Sequence, residues 1–256
     1  EEGCFQTLLI DHDLTAELIK QPKLKAVTVT GSEAAGRKIA AKAGKNLKKT
    51  VLELGGSNAF VVLADANLDN IINTAVTARF QNTGQSCIAA KRFIVEASIY
   101  DEFLERFKNK VEQLKCGDPM DEATSLGPMA RADLAEELAD QLQRSVQQGA
   151  KILIGGEQSK TRFEPTIVTD VTVNMPLMQE ETFGPVAPVF KAKDDEHALK
   201  VAAATRYGLG VTVCTRDPET ILKQLHRFPD GAVFINELVK SDPRLPFGGT
   251  GISGYG

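Results

Sequence analysis

The sequence predicts an α/β fold built around a mostly parallel sheet flanked by helices. Short apolar segments of strand length alternate along the chain with longer segments of helical periodicity, which is the pattern of βαβ units. The 256 residues are 42% hydrophobic and 25% charged, which is typical of a globular protein with one large domain or two smaller ones. No internal repeat or low-complexity stretch interrupts the alternation.

The first part of the chain contains the clearest elements. β-branched and aliphatic runs predict strands, and Ala-rich or amphipathic segments that follow small polar residues predict helices. In order, these are a strand over 24–29, a helix over 33–46, strands over 50–54 and 58–63, and a helix over 68–80.

The second part begins with apolar residues at helical spacing, which predict an amphipathic helix over one face of the sheet. These residues are Ile99, Phe103, Phe107, Val111 and Leu114. The same criteria then predict a helix over 134–147, strands over 151–154 and 184–190, a helix over 196–206, and strands over 209–214 and 232–235. The alternation therefore continues to the end of the chain.

The net charge and the cysteine positions argue against several classes of partner and site for this protein. The net charge of −4 argues against nucleic acid or an anionic membrane as a partner, since such partners select a basic face. No apolar run approaches the roughly 18 residues that span a bilayer. Cysteines occur at positions 4, 87, 116 and 214, too far apart for metal-ligand spacing or a disulfide framework. We expect no metal and a reducing, cytoplasmic setting.

Cys87 and Glu53 are the candidate reacting groups. Cys87 ends a polar, Gly-containing turn after a predicted helix, where a thiol can be partly exposed near helix-end dipoles that favour the thiolate. Glu53 precedes Gly55 and Gly56, which allow close backbone approach, so its carboxylate could take a proton from water. The alternatives are a buried structural thiol and a carboxylate that pairs with a helix end or a cation.

Five short blocks resemble the ordered signature of the aldehyde dehydrogenase superfamily. They are Thr30-Gly31-Ser32, Glu53-Leu54-Gly55-Gly56, Gly84-Gln85-Ser86-Cys87, Glu181-Thr182-Phe183-Gly184-Pro185 and Pro246-Phe247-Gly248-Gly249. The blocks extend over nearly the whole chain. The residues around Cys87 are most similar to those of succinate-semialdehyde dehydrogenases.

The resemblance implies an architecture and a cofactor. Residues 1–54 would be the C-terminal part of a Rossmann-like dinucleotide-binding domain, and residues 55–256 a catalytic domain. NAD or NADP would bind between them. The implied cofactor contacts are Gly31, Ser32 and Gly36 at a strand-to-helix junction, Leu54, Glu181 on the nicotinamide ribose, and Phe183 beside the ring. The competing interpretation is an ordinary turn, a solvated carboxylate pair and a core phenylalanine.

The resemblance also implies a reaction in two halves. The Cys87 thiolate would add to an aldehyde carbon, and loss of hydride to the nicotinamide would leave a thioester. Glu53 would then activate the water that hydrolyses the thioester, which requires a pKa nearer neutrality than that of a solvated glutamate. The expected overall reaction is oxidation of succinate semialdehyde to succinate.

The sequence gives its least specific evidence on how a distal substrate carboxylate would be recognised. Ser241 lies in the segment that matches the family's substrate loop and is the candidate contact. Some relatives have an arginine where this chain has Gln81, so a second cation would come from Arg79, Lys240 or Arg244. A solvated surface role is the ordinary interpretation of each of these charges.

The resemblance further implies a fragment of a longer protein and a homo-oligomer. Because the family's side-chain donor to the oxyanion would lie before Glu1, we expect this fragment alone to be nearly inactive. Three other functions stay open at this point. A coenzyme-A-acylating aldehyde dehydrogenase would not need Glu53, a cysteine hydrolase would need a histidine base from His12, His197 or His226, and a structural or binding homologue would have lost turnover.

Overall fold

The computed structural model describes residues 3–256. The helices are α1 His12–Lys20, α2 Glu33–Lys45, α3 Leu68–Phe80, α4 Tyr100–Val111, α5 Ala132–Gln147, α6 Pro176–Gln179, α7 Asp195–Ala203 and α8 Pro218–Leu222. The strands are β1 Ala26–Thr30, β2 Lys49–Glu53, β3 Asn58–Val62, β4 Ala90–Glu96, β5 Lys151–Ile154, β6 Gln158–Ser159, β7 Arg162–Phe163, β8 Thr166–Thr169, β9 Val186–Ala192, β10 Val211–Cys214, β11 Val233–Ile235 and β12 Gly254–Tyr255.

The larger sheet has seven strands in the order β11-β10-β3-β4-β9-β8-β5. Neighbouring strands run parallel except at the edge, where β5 is antiparallel to β8. This arrangement confirms the predicted fold class. The central strand, β4, is buried along its whole length, as expected for a parallel sheet covered on both faces.

The two faces of this sheet carry separate apolar cores. Along β3, Ala59 and Val61 face the core that contains residues of α5, α6 and α7, whereas Phe60 and Val62 face the core that contains residues of α3 and α4. This alternation follows from the period of two along a strand. The second core is partly aromatic: the ring centroids of Phe93 and Phe107 lie 5.0 Å apart.

The smaller sheet has the order β1-β2-β12. β1 and β2 are parallel and are joined by α2, which confirms a βαβ unit in this part of the chain. β12 joins antiparallel to β2, so residues near the end of the sequence complete the sheet that contains Glu53. The division at residues 1–54 and 55–256 stays a prediction, but residues 254–255 lie with the first group.

Several elements agree with the sequence predictions to within a few residues. α3 has the predicted bounds, and α4 buries Phe103, Phe107 and Val111 as its periodicity predicts. The sequence analysis did not predict the central strand β4. Its charged pair, Lys91 and Arg92, concealed a buried strand because cations usually face water. The short elements α1, α6, α8, β8, β12 and the β6-β7 hairpin were also not predicted.

Arg92 explains how one of these charges is accommodated. Its side chain is 2% exposed and donates hydrogen bonds to the carbonyls of Ser57, Val201 and Ala202, at 2.9, 3.2 and 3.0 Å. Two of these acceptors lie in the last turn of α7, where free carbonyls favour a positive charge. Arg92 therefore joins α7 to the sheet.

Candidate functional site

A cavity of about 920 Å³ brings together most of the predicted site residues. Gly31, Ser32, Glu53 and Leu54 line it from the smaller sheet, and Cys87, Glu181 and Phe183 line it from the larger one. Residues of α5, including Gln141, form a further wall. The candidate reacting groups therefore face one space that both sheets border.

The order of strands explains why these residues meet. Cys87 lies just before β4, Glu181 lies before β9, and Gly55 and Gly56 lie just before β3. β3, β4 and β9 are neighbours and run parallel, so the segments that lead into them meet at the same edge of the sheet. Glu53 ends β2 and enters from the other sheet.

A strained turn leads from α3 to Cys87. Asn82, Thr83 and Gly84 have φ of 52°, 56° and 70°, a left-handed conformation that is uncommon for a β-branched residue. The Thr83 hydroxyl donates to the Gly127 carbonyl at 3.1 Å, and the Asn82 side-chain amide donates to the Gln85 carbonyl at 2.8 Å. These contacts stabilise a conformation that the local sequence alone does not favour.

The buried side chain of Arg79 holds this turn in place through hydrogen bonds. Its guanidinium is fully buried and donates to the carbonyls of Gly84 at 2.9 Å, Ala90 at 3.0 Å and Thr182 at 3.2 Å, and also to that of Gly184. Burial lowers the Arg79 pKa to about 9, with the charge of Glu181 opposing that effect. Arg79 is thus neither a surface charge nor a free cation for substrate, which corrects both expectations.

The Cys87 thiol is half-buried, and its environment differs from the predicted one. Burial is the largest effect and raises the pKa of Cys87, while the positive charge of Lys91 opposes it and Glu181 adds to it. The sequence analysis expected helix-end dipoles to favour the thiolate, whereas the net effect of this environment raises the Cys87 pKa. Cys87 is nonetheless accessible from the cavity, so the buried-structural-thiol alternative is not favoured.

Glu53 faces the cavity with its carboxylate incompletely paired. Its backbone carbonyl accepts a hydrogen bond from the Gly31 amide at 3.1 Å, which fixes the end of β2. Its Oε2 atom is buried and has no hydrogen-bond partner among the described residues. Burial raises the Glu53 pKa, in the direction that a proton acceptor near neutral pH requires. This oxygen is itself enclosed by protein, so the water-activating role of Glu53 stays a prediction.

Glu181 is held by Lys91 and by the loop after Glu53. Its Oε1 accepts from the Lys91 ammonium at 2.6 Å and from the Gly56 amide at 3.1 Å. Its Oε2 lies against Gly55, where an added Cβ would overlap it. Phe183 lies nearby, with its ring centroid 5.6 Å from the Lys91 Nζ. A carboxylate fixed in this way on a cavity wall suits a ligand with vicinal hydroxyls.

The N-terminus of α2 also lines the cavity. Ser32 caps the helix, its Oγ accepting from the Ala35 amide at 3.3 Å, and its O–H is still able to donate. Gly31 and Ser32 are exposed to the cavity, as phosphate binding at a helix N-terminus requires. Gly36 does not line the cavity. An added Cβ there would approach the Leu54 methyl groups to 2.5 Å, so Gly36 allows α2 to pack against Leu54.

The predicted substrate-binding residues lie elsewhere. Ser241 is exposed and does not line this cavity, so its role stays a prediction. Lys240 pairs with Glu237 at 3.0 Å and Arg244 pairs with Asp242, both as surface ion pairs. The cations that do line the cavity, among the described residues, are Arg37 and Arg206, and both contact Glu33.

Sequence reasoning missed Lys91 as a site residue and misjudged Arg79. A signal for Lys91 was present: residues 89–95 are apolar except for two adjacent cations, a pattern that indicates a buried strand with functional or capping charges. Nothing comparable marks Arg79, since a basic residue in the last turn of a helix is an ordinary surface feature.

This is an α/β protein whose candidate site is formed by two sheets. A thiol and a carboxylate lie on the walls of the cavity that both sheets border. The sequence model of the aldehyde dehydrogenase family matches residues 1–256. The chain belongs to the aldehyde dehydrogenase family, which confirms the resemblance inferred from the sequence.

Known relatives agree with this assignment. An NADP(+) succinate-semialdehyde dehydrogenase of Mycobacterium avium (strain 104) is 46% identical over 258 residues, which cover 100% of this chain and 55% of that protein. A succinic semialdehyde dehydrogenase from Streptococcus pyogenes, solved with NADP+ as the cofactor, superposes with a TM-score of 0.93 at 39% identity, covering 97% of this chain and 55% of that one. The chain thus spans about half the length of these relatives.

The same fold also accompanies other named activities. The crystal structure of lactaldehyde dehydrogenase from Escherichia coli superposes with a TM-score of 0.90 at 34% identity, covering 95% of this chain and 52% of that one. The backbone alone therefore does not select the aldehyde.

Residues 3–256 show no sign of three other kinds of site. No helix in this part of the chain is long and apolar enough to cross a membrane. In the same residues, no group of three or more His, Cys, Asp or Glu side chains could hold a metal ion. None of the three histidines lines the cavity, and His197 instead accepts from the Lys193 amide through Nδ1, so a histidine-assisted cysteine hydrolase is not supported.

Proposed function

We propose that this chain carries the reacting groups of an NAD(P)-dependent aldehyde dehydrogenase, with succinate semialdehyde as the substrate. The observation that carries the proposal is that Cys87 and Glu53, from different sheets, line one cavity together with the α2 N-terminus and Glu181. The names of the M. avium and S. pyogenes relatives support the substrate and favour NADP over NAD.

The residues fit a dinucleotide along the length of the cavity. Gly31 and Ser32 would bind the pyrophosphate, because amide groups at a helix N-terminus favour an anion. Glu181 would accept hydrogen bonds from the nicotinamide ribose, with Phe183 beside the ring. When bound, the nicotinamide supplies the acceptor for the hydride that the aldehyde carbon loses.

The chain's own groups would act in sequence. The Cys87 thiolate forms a bond to the aldehyde carbon, and the carbonyl oxygen becomes an alkoxide. Departure of hydride from that carbon gives a thioester on Cys87. Glu53 then takes a proton from water, the resulting hydroxide attacks the thioester carbonyl, and the C–S bond breaks to release the carboxylic acid and regenerate the thiolate. The acid loses its proton to solvent.

The experiment compares wild type, Cys87→Ala and Glu53→Gln, each in the full-length protein because the fragment alone is expected to be nearly inactive, with succinate semialdehyde and each nicotinamide cofactor. We expect C87A to abolish NADPH formation. E53Q should lower steady-state turnover by about 10²- to 10⁴-fold, the usual contribution of a general base, and accumulate an acyl adduct on Cys87 that mass spectrometry detects. NADPH formation by C87A, or E53Q turnover equal to wild type, would refute the mechanism.

Two further measurements address the substrate and the remaining rival. Comparison of succinate semialdehyde with propanal tests recognition of the distal carboxylate, and equal kcat/KM for both would refute the substrate assignment. Added coenzyme A should leave the free acid as the product; formation of an acyl thioester of coenzyme A would instead support the acylating alternative. A cytoplasmic homo-oligomer remains part of the proposal on the resemblance alone.

A further inference from the structure

Lys91 carries a fully buried ammonium group behind the wall of the candidate site. Its Nζ donates to the Gly56 carbonyl at 2.7 Å, the Cys87 carbonyl at 3.0 Å and Glu181 Oε1 at 2.6 Å. An ammonium has three N–H donors, so these three contacts use its full capacity. Each contact reaches a different segment of the cavity wall.

A buried lysine is costly unless its charge is compensated, so its location is informative. Arg92, the next residue of β4, is equally buried, but its acceptors are the Ser57 carbonyl and the end of α7. The contacts of Lys91 all belong to the site: the loop after Glu53, the Cys87 backbone and the Glu181 carboxylate. The ammonium group of Lys91 therefore binds segments of the site, whereas the guanidinium group of Arg92 holds α7 against the sheet.

The charges around Cys87 act in opposite directions. Burial raises the pKa of the thiol most, Lys91 opposes that effect, and Glu181 reinforces it. Burial is the largest effect on Lys91 and lowers its pKa, Glu181 opposes that effect, and Arg79, buried beneath the same loops, adds to it. Glu53 faces the cavity from the other sheet. Lys91 and Glu181 thus form a contacting pair whose members have opposite effects on the same sulfur.

We propose that Lys91 is a positioning residue that fixes Glu181 and the Cys87 backbone with one ammonium group and places a positive charge behind the thiol. The inference rests on the proposed function for the role of Glu181 toward the cofactor ribose. Lys91 itself touches neither substrate nor the reacting carbon. It holds the thiol and the carboxylate in one geometry.

The test measures alkylation of Cys87 by iodoacetamide as a function of pH in Lys91→Met and Glu181→Gln, with peptide mapping to identify each cysteine. K91M keeps the length of the side chain but removes its charge, and E181Q removes the opposite charge but keeps an acceptor for Lys91. Cys116 is the internal control, because its pKa depends on burial, Glu164 and Arg162.

We expect K91M to move the Cys87 midpoint to higher pH and slow alkylation at neutral pH by about tenfold, which corresponds to a rise of one in pKa. E181Q should move it to lower pH and speed alkylation, while Cys116 is unchanged in both variants. Shifts in the same direction, no shift in K91M, or an equal change at Cys116 would overturn the proposal. If K91M does not fold, unchanged or slower alkylation in E181Q overturns it.

This readout needs neither cofactor nor turnover. A failed dehydrogenase assay would overturn the proposed function but leave the alkylation result intact. A failed alkylation test would overturn the role of Lys91 while leaving the dehydrogenase assay unaffected. The two inferences can therefore be separated.

Discussion

Replacement of Arg79 by methionine tests how the fold builds the site. The buried guanidinium bonds to carbonyls in three segments: the strained turn before Cys87, the start of β4, and residues 182 and 184 after Glu181. Methionine fills a similar space but offers no donor. R79M should therefore leave these segments without their common partner.

The expected loss of stability follows from the contacts. Four hydrogen bonds from a charged donor are worth about 1.5–3 kcal/mol each, a gross sum of about 6–12 kcal/mol. Burial of the guanidinium costs several kcal/mol, which the variant no longer incurs, so the net loss should be about 3–5 kcal/mol. With a urea m-value near the upper end of about 1–3 kcal/mol/M, the unfolding midpoint should fall by about 1–2 M.

Arg92→Met is the matched control, since Arg92 is an equally buried guanidinium that bonds to three carbonyls away from the cavity. Urea unfolding followed by circular dichroism should show both variants destabilised. Only R79M should speed alkylation of Cys87 in the folded protein, because only its contacts order the Cys87 turn. An R79M midpoint within about 0.3 M of wild type, or an equal effect of R92M on Cys87, would refute the reasoning.

Two further predictions concern the thiol and its turn. Burial raises the Cys87 pKa above the usual value of about 8.5, so the thiolate is the minor form at neutral pH. The rate of wild-type alkylation should therefore increase about tenfold per pH unit and still be rising at pH ~8.5. A plateau of the rate below pH ~8 would contradict this prediction. Gly84→Ala should lose about 2–4 kcal/mol in urea unfolding, because φ is +70° and the added Cβ would overlap the Gly184 carbonyl and the Arg79 guanidinium. Gly44→Ala, in α2 with open space around it, is the control and should gain about 0.5–1 kcal/mol; equal effects of the two substitutions would refute the steric argument.

The sequence was most informative where local pattern and burial agree. α3 and α4 were predicted closely because one face of each helix is apolar and packs on the sheet. Cys87 and Glu53 were identifiable because reactive residue types beside glycines are visible in the sequence itself. The five signature blocks added the family, which sequence comparison then confirmed.

β4 shows where that reasoning stops. Lys91 and Arg92 suggest a solvent-exposed segment, yet both are buried because backbone carbonyls from distant segments compensate their charges. The acceptor carbonyls of Gly56, Ser57 and Val201 lie at least 35 residues along the chain from the cation that each one bonds to. No local pattern records such partners.

The sequence alone thus indicated the fold class, the family and the two candidate reacting side chains, because residue type and periodicity are local properties. The tertiary structure decided which segments meet. In the folded chain β3, β4 and β9 are neighbours, and Glu53 reaches the cavity from a second sheet. Arg79 and Lys91, which the sequence suggests are surface charges, are buried groups that hold the Cys87 turn and Glu181 in place. The physical reason is that the free energy of a buried charge depends on acceptors that only the folded chain brings within hydrogen-bonding distance.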